Sequence, residues 1–419
     1  MGIREVQASE IKMNRRLIEK LVEENGTPIL VIDHRRIRRN YLEFKERLPR
    51  VQVYYAAKAN PEPEIIETLY GLGSSFDVAS LSEFNLVFEV ARADMPLQNE
   101  QDFVWRHIIY ANPVKKVDSL RELNLYKPLL TYDSIEEMRK IREHSPDAGL
   151  LLRIKVDDKK SVVKFSNKFG IEPENAIGLM GQTLDEGVKV EGLSFHVGSQ
   201  CNDPNQYIRA LQNCSEIFRE AEKREYQIGE TFTRGYPVKL VDIGGGFPVR
   251  YNGSEHDFRD LANSLSRELD RLFPQEEFDI LAEPGRFIVA NAGTLVSGIM
   301  LAKHEGRKVP TYHIDDGIYQ TFSGVIYDHQ HPTFKSLKSG KRKRSFVFGP
   351  TCDGIDAIAG NNPYIESLTP AILPHLEAGD LIVVENMGAY TNASSTNFNG
   401  FGGAKLIHIN QTTSKRLKN

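Results

Sequence analysis

The stretch VQVYYAAKANP, residues 51–61, places Lys58 directly after an apolar run and before an Asn-Pro stop. Its near-continuous apolar character is typical of a strand in a parallel sheet that is covered on both faces. A lysine at the end of such a strand is costly to bury unless it is paired, solvated or used in chemistry. We therefore expect Lys58 to have either a charged partner or a chemical function.

Seven further segments share this apolar, β-branched character. They are SSFDVAS (74–80), HIIYANP (107–113), PLLTYDS (128–134), GLLLRIKV (149–156), VEGLSFHVGS (190–199), VKLVDIGGG (238–246) and FDILAEPGR (278–286). Amphipathic stretches typical of helices, such as SIEEMRKIREH, lie between most of them. Eight strand-then-helix units predict an α/β fold with a TIM-like (β/α)₈ barrel over residues 35–290. Residues 92–106, which include the single tryptophan, are interpreted as a loop insertion.

The pattern changes after about residue 290, where strand-like segments are separated by turns with little helix between them. These segments are TLVSGIMLAKHE (294–305), VPTYHIDDGIY (309–319), SFVFGPTCDG (345–354), DLIVVENMGAYT (380–391) and AKLIHIN (404–410). The pattern predicts a C-terminal antiparallel β-sandwich or barrel domain. We assign residues 1–34 and 291–419 to this domain.

Composition excludes several classes of function. A net charge of −4 gives no electrostatic footprint for nucleic acid, and no partner of that kind is expected. No apolar run is long enough to span a membrane, and the first residues lack the apolar core of a signal peptide. The three cysteines are odd in number and lack metal-site spacing, so neither a disulfide framework nor a metal site is expected, and a cytoplasmic location fits.

Polar residues fall where the predicted strands end. They are Lys58, Asp77, Arg153, His196, Gly244, Gly245, Gly246, Glu283, Gly285 and Arg286. Each has an ordinary structural explanation when taken alone, as a solvated lysine, a core histidine, a turn or an ion pair. The carboxyl ends of barrel strands meet at one rim, however, and that rim carries the active sites of TIM barrels. Together these residues therefore indicate a single site.

The chemistry of this set is consistent with pyridoxal phosphate. The DIGGGFP stretch exposes backbone N–H groups with no Cβ in the way, which suits a phosphate, and Arg286 can add a charged fork. A lysine amine such as that of Lys58 forms a Schiff base with an aldehyde. Glu283 can keep a pyridinium nitrogen protonated, and His196 can stack on an aromatic ring. The sequence thus predicts the cofactor used for carbanion chemistry.

The motifs YYAAKANP, FDVAS, HVGSQ, DIGGGFP, AEPGR, GPTCDGID and ENMGAYT resemble those of the fold-type III pyridoxal-phosphate decarboxylases. This family has an alanine-racemase-like barrel and a β domain. The branch that the motifs resemble most contains eukaryotic-type ornithine decarboxylases and bacterial lysine/ornithine enzymes. The likeness runs from about residue 25 to about residue 410, in the family's order.

The resemblance implies roles for individual residues. Lys58 would carry the cofactor as an imine, Glu283 would bind the pyridine nitrogen and His196 would stack against the ring. The phosphate would be held by Ser199, Gly245, Gly246, Gly285, Arg286 and Tyr390. Supporting residues would be Asp77, Glu83 and Arg153.

The resemblance also implies a homodimer with two shared active sites. Cys352 of the partner subunit would protonate the product-side carbanion. Asp328, together with Asp353 of the partner subunit, would hold the far amine of the substrate, and Phe398 would line the cleft. The expected reaction is the decarboxylation of L-ornithine to putrescine.

Several alternatives stay open. The HVGSQ motif has Gln200 where the eukaryotic enzymes usually have glycine, a form commoner in bacterial relatives, so L-lysine or dual specificity remains possible. Decarboxylases of other amine precursors and a silent regulatory homologue are the further alternatives. The presence of Lys58, Cys352 and Asp353 disfavours the silent homologue. Glu283 disfavours a racemase, because the racemases of this fold have an arginine at the corresponding position.

Overall fold

The computed structural model describes residues 13–229, 238–251, 257–360, 362, 364–365 and 368–411. The chain divides into two compact units. The β unit comprises Met1–Ile37 and Val289–Asn419, and the barrel unit comprises Arg38–Ile288.

The strands are numbered in chain order along the described residues. They are β1 (Ile29–Asp33), β2 (Val51–Ala56), β3 (Ser75–Val78), β4 (Ile108–Tyr110), β5 (Leu129–Tyr132), β6 (Leu150–Arg153), β7 (Ser161–Val163), β8 (Val190–Ser194), β9 (Ser199–Cys201), β10 (Lys239–Asp242), β11 (Phe278–Ala282), β12 (Gly293–Lys303), β13 (Thr311–Ile314), β14 (Phe334–Ser336), β15 (Lys343–Phe348), β16 (Ala357–Ala359), β17 (Ala371–Leu373), β18 (Leu381–Glu385) and β19 (Lys405–Ile409).

The helices are numbered in the same way. They are α1 (Arg15–Asn25), α2 (His34–Arg47), α3 (Pro63–Gly71), α4 (Leu81–Arg92), α5 (Glu100–His107), α6 (Val117–Leu123), α7 (Ile135–His144), α8 (Pro173–Asp185), α9 (Pro204–Lys223), α10 (Phe258–Leu272), α11 (Arg286–Val289) and α12 (Gly324–Tyr327).

The barrel unit contains a closed parallel barrel with the strand order β10-β11-β2-β3-β4-β5-β6-β8. Its eight strands are the eight segments that the sequence predicted, so the predicted (β/α)₈ barrel is confirmed. In β2 every residue except Gln52 is buried, as expected for a strand with helices outside and side chains inside the barrel. The short antiparallel pair β7–β9 lies outside the closed barrel.

The interpretation of residues 92–106 as a loop insertion was wrong. A 3₁₀ turn at Leu97–Asn99 leads into helix α5, which contains Trp105 and ends directly before β4. The helix buries Phe103 and Val104. It is only about two turns long, so its apolar residues are too few to show the helical periodicity on which the sequence reading depended.

The β unit is built on one large, mostly antiparallel sheet. Its path is β14-β18-β12-β13-β15-β16, and β1 joins it by pairing with β12 and β19. Two pairs, β1–β19 and β13–β15, are parallel, so the sheet is mixed. Helix α1 covers one part of it by packing Ile18 and Leu21 against β1 and β12. No helix within the described ranges has both the length and the apolarity that crossing a bilayer requires.

Candidate active site

Lys58 lies in a 3₁₀ turn, Ala57–Ala59, that directly follows β2. Its Nζ is 2.7 Å from Oδ2 of Asp77, which lies near the end of the neighbouring strand β3. The Asp77 side chain is only 1% exposed. The lysine side chain remains 37% exposed. The expectation of a charged partner is therefore met. The same geometry leaves the amine accessible for chemistry.

Glu283 follows β11 and is buried beside a second carboxyl group, that of Asp242 at the end of β10. The two side chains share a hydrogen bond. Burial, together with the negative charges of Asp242 and Asp77, raises the pKa of Glu283 well above its ordinary value. Burial also raises the pKa of Asp242, to about 6. Like charges this close cannot both ionise at low cost, so the protonated form of Glu283 is favoured beside Asp242.

His196 follows β8 and is neutral. Burial and the positive charges of Arg153 and Lys58 lower its pKa well below the ordinary histidine value. Its Nδ1 accepts a hydrogen bond from the backbone N–H of Gly198 at 3.0 Å, so the ring proton lies on Nε2. Phe165 packs edge-on against the imidazole with ring centroids 4.9 Å apart. These contacts fix the plane of the ring.

The glycines that follow β10 and β11 form a backbone surface that packs closely against neighbouring residues and leaves no room for a Cβ. A Cβ at Gly245 would lie 2.7 Å from the carbonyl oxygen of Glu283 and 3.1 Å from Nε2 of His196. Gly246 has φ +101°, which favours glycine, and a Cβ there would lie 2.3 Å from the carbonyl oxygen of Gly198. At Gly285 a Cβ would lie 2.8 Å from that of Ala59. We call this surface the glycine cradle (Gly245, Gly246 and Gly285).

Arg286, at the start of α11, supplies a buried cation close to this region. Its Nη2 and Nε donate to Oγ of Ser199 at 3.1 and 3.4 Å, and its Nη1 donates to Oη of Tyr251 at 3.0 Å. Arg286 is only 4% exposed. A guanidinium and a hydroxyl held together in this way suit a phosphate group.

Arg153 ends β6 and lies among carboxyl groups. Its positive charge interacts with Glu283, Asp133, Asp242 and Asp77. The guanidinium carbon is 5.0 Å from the centroid of the Phe169 ring. Phe169 and Phe165 belong to one segment after β7, which Asp158 anchors by accepting from the backbone N–H groups of Phe165 and Ser166.

The β unit holds the other five predicted residues, and it brings three of them together. Tyr319 stacks on Phe398 with centroids 4.3 Å apart and hydrogen-bonds through its side chain to Asp353. Sγ of Cys352 is 3.3 Å from Oδ1 of Asn399. Cys352 and Asp353 are both exposed, so a substrate or a second subunit can reach them.

Asp328 and Tyr390 are connected through a buried amide. Nε2 of Gln330 donates to Oδ2 of Asp328 at 2.9 Å and to the carbonyl oxygen of Ala389, next to Tyr390, at 3.0 Å. A cavity of about 180 Å³ lies beside this region and is lined by residues including Tyr319, Tyr327 and Ile355.

Asp316 gives the β unit a pH-dependent stability. Burial raises its pKa to about 7, although its Oδ1 accepts from the backbone N–H groups of Gly317 and Thr321. The unfolded chain releases this proton near pH 4 and the native chain keeps it to about pH 7. The group's contribution to the free energy of unfolding therefore falls between these values, by up to about 1.4 kcal/mol per pH unit.

The Asp316→Asn variant cannot ionise and should lack this contribution. Urea unfolding at pH 5 and pH 8 should show a smaller loss of stability for the variant than for the wild type. Asp118→Asn, whose side chain is 89% exposed, is the control and should follow the wild type. Equal pH slopes for Asp316→Asn and the wild type would contradict the assignment.

The residues of the barrel unit fit the predicted cofactor. The glycine cradle with Ser199 and Arg286 suits a phosphate, and the Lys58 amine suits an aldehyde. Oδ1 of Asp77 is buried and has no hydrogen-bond partner among the described residues, so the site retains an unused acceptor beside the amine. Glu283 and His196 offer a proton and a flat ring for a pyridine.

Sequence reasoning missed several residues, in both units, that contact the predicted site residues. Asp242, Tyr251 and Gln330 contact Glu283, Arg286 and Asp328 respectively. Asp242 was within reach, because it is the first residue of the DIGGG motif (242–246). Tyr251 and Gln330 carried no signal, since the contacts of each depend on where its loop is placed.

Comparison with known proteins identifies similar chains. The family model described as pyridoxal-dependent decarboxylase, pyridoxal binding domain, matches residues 34–290. A lysine/ornithine decarboxylase of Selenomonas ruminantium is 35% identical over 398 residues, covering 94% of this chain and 93% of the relative. Antizyme inhibitor 2 of Xenopus laevis is 34% identical, covering 92% and 83%. The crystal structure of an SrLDC mutant in complex with PLP has a TM-score of 0.85 at 34% identity, covering 96% and 97%.

Proposed function

The chain belongs to the pyridoxal-dependent decarboxylase family, and from this premise we propose that it converts L-ornithine to putrescine and CO₂, a step of polyamine biosynthesis. The substrate assignment rests on two carboxylates of the β unit, Asp328 and Asp353, which we propose act together as an acidic pair in the shared site. Asp328 is held by Gln330, and Asp353 is held by Tyr319 beside Phe398. Carboxylates with an aromatic wall favour a substrate that ends in an ammonium group.

The cofactor is pyridoxal 5′-phosphate. When bound, it supplies an electron sink for the pair of electrons that the departing carboxylate leaves behind. We propose that Ser199, Arg286 and the glycine cradle hold its phosphate and that Tyr390 completes this site.

The side chains of the barrel unit have separate tasks in this proposal. Lys58 would hold the aldehyde end of the cofactor through Nζ, and its amine would exchange with that of the substrate and of the product. Asp77 positions Nζ by its 2.7 Å contact. Glu283 keeps a proton for the pyridine nitrogen, because its pKa is raised. Neutral His196 would pack against the ring of the cofactor, and Arg153 balances the charge of the surrounding carboxyl groups.

Cys352 is the proposed proton donor to the product-side carbon. Its thiol is exposed and its Sγ lies against Asn399, so it is presented at the surface of its own subunit. We propose that it acts in the site of a partner subunit and that the protein is a homodimer with two shared sites. Cys201, Cys214 and Cys352 are all free thiols, which fits a reducing cytoplasm.

Subunit mixing tests the shared site. Lys58→Ala and Cys352→Ala subunits should each be nearly inactive alone, because each lacks one half of the chemistry. After denaturation and joint refolding in equal amounts, random pairing should restore about a quarter of the wild-type activity, since mixed twofold dimers contain one site with both groups. Activity no higher than that of the separate variants would argue against shared sites.

The substrate assignment is tested by measuring CO₂ release from L-ornithine, L-lysine, L-arginine and meso-diaminopimelate under the same conditions. Ornithine should have the highest kcat/KM. Release of CO₂ chiefly from meso-diaminopimelate would contradict the acidic-pair assignment, because its distal carboxylate would be repelled.

L-Lysine is the second candidate substrate, favoured by the name of the Selenomonas ruminantium relative. One methylene group of chain length changes binding by only about 1–3 kcal/mol, so a small change in the cleft can exchange the two preferences. A silent regulatory protein similar to the Xenopus laevis antizyme inhibitor is disfavoured. The chain retains Lys58 with its partner Asp77, and also Cys352 and Asp353.

A further inference from the structure

Gln200 lies in the middle of β9, in a backbone conformation that glutamine rarely adopts. Its φ is +55°, in the left-handed region where glycine is the favoured residue. It is nevertheless nearly buried, at 7% exposure. A large amide in a strained, buried position requires a compensating contact.

That contact is a two-point clamp on the loop after β10. Nε2 of Gln200 donates to the carbonyl oxygen of Val249 at 3.1 Å, and Oε1 of Gln200 accepts from the N–H of Val249 at 2.8 Å. The clamp thus satisfies both ends of the amide with the two backbone groups of a single residue.

The two segments that the clamp joins carry the two halves of the phosphate site. Ser199, directly before Gln200, accepts from Arg286. Val249 lies three residues after Gly246, whose carbonyl oxygen accepts from the N–H of Cys201 at 2.9 Å. Beyond this one backbone hydrogen bond, the amide of Gln200 adds two further bonds between the segments.

We propose that Gln200 is a positioning residue for the cofactor phosphate, which holds Ser199 and the Gly245–Gly246 backbone at the spacing that a phosphate needs. The inference rests on the assignment of the phosphate site under the proposed function. It predicts that the clamp affects the affinity for the phosphate of the cofactor and leaves the affinity for the rest of the cofactor unchanged.

The experiment compares two probes on the apoprotein. PLP and pyridoxal share the ring and the aldehyde, but pyridoxal lacks the phosphate. Gln200→Gly removes the clamp and also relieves the backbone strain. Its dissociation constant for PLP should rise about tenfold, while that for pyridoxal changes less than twofold. Protection of the apoprotein against thermal unfolding by inorganic phosphate should be lost in parallel.

Two further variants make the test decisive. Gln200→Glu keeps the acceptor for the N–H of Val249 but places a carboxylate oxygen against the carbonyl oxygen of Val249. This variant should therefore also weaken PLP binding. It takes the place of Gln200→Gly if the glycine variant does not fold. Gln52→Ala removes an amide that bonds Ser75 and the carbonyl oxygen of Arg106 at the opposite end of β2, and should bind both probes normally.

Unchanged PLP binding in both Gln200 variants would overturn the proposal. An equal loss of PLP and pyridoxal binding would also overturn it, because it would indicate a general effect on folding. Failure of the proposed substrate assignment would be seen separately. In that case the wild type would bind PLP normally and release no CO₂ from ornithine.

Discussion

The Lys58→Ala protein is expected to release CO₂ at least about 10³-fold more slowly than the wild type and to lose the absorbance of protein-bound cofactor. Lys58 is the amine that the structure places at the end of β2, 2.7 Å from Asp77 and partly open to solvent. In the proposed function, removal of Nζ takes away the group that would attach the cofactor and later free the product. It also removes the cation that lies 2.7 Å from the buried carboxylate of Asp77.

The Lys58→Arg variant separates these two effects. Arginine keeps a positive charge next to Asp77, but its guanidinium does not react with an aldehyde at neutral pH. We therefore expect Lys58→Arg to be as inactive as Lys58→Ala while unfolding closer to the wild-type temperature. Lys45→Ala, an exposed lysine on α2, is the surface control. Substantial turnover by Lys58→Arg would show that Lys58 acts only through its charge.

The Glu283→Gln protein is expected to have a kcat about 10²-fold below that of the wild type, with a much smaller change in KM. The carboxyl group of Glu283 is buried against Asp242, and its raised pKa favours the protonated form. Glutamine has nearly the same shape but cannot pass that proton to a pyridine nitrogen. The electron sink should therefore weaken while substrate binding is preserved.

Glu277→Gln is the matched control for this prediction. Glu277 directly precedes β11, whereas Glu283 follows it, so the same Glu→Gln substitution is made at the opposite end of the strand. The Glu277 side chain is 57% exposed, and its carboxylate is 3.6 Å from Nζ of Lys239. We expect this variant to keep wild-type kcat and the wild-type spectrum of bound cofactor. A Glu283→Gln protein with normal kcat and an unchanged spectrum would remove Glu283 from the chemistry.

The barrel could be predicted from sequence because its strands carry a strong local signal. Strands buried on both faces read as short apolar runs, and helices such as α9 and α10 show a clear apolar stripe. Helix α5 could not be predicted, since about two turns give too few apolar positions. The parallel pairing of β1 with β19 was also beyond the sequence, because it joins segments at the two ends of the chain.

The composition of the candidate site was readable for a related reason. Functional side chains of a TIM barrel follow the strand ends, so finding the strands also found Lys58, Asp77, His196, Glu283 and the glycines. Neither the hydrogen bond between Glu283 and Asp242 nor the clamp from Gln200 to Val249 was predicted. Both join segments that follow different strands, and their geometry exists only once those strands are side by side.

The sequence by itself therefore determined the eight-stranded barrel, the β domain after it and the kinds of chemical groups at the rim. These depend on local patterns of apolar residues, glycines and charges. The tertiary structure decided the protonation and spacing of those groups. It places Asp242 against Glu283, turns Nδ1 of His196 toward the N–H of Gly198 and connects β9 to the loop after β10 through Gln200. A pKa or a two-point hydrogen bond depends on distances between residues far apart in the chain, which only the closed barrel sets.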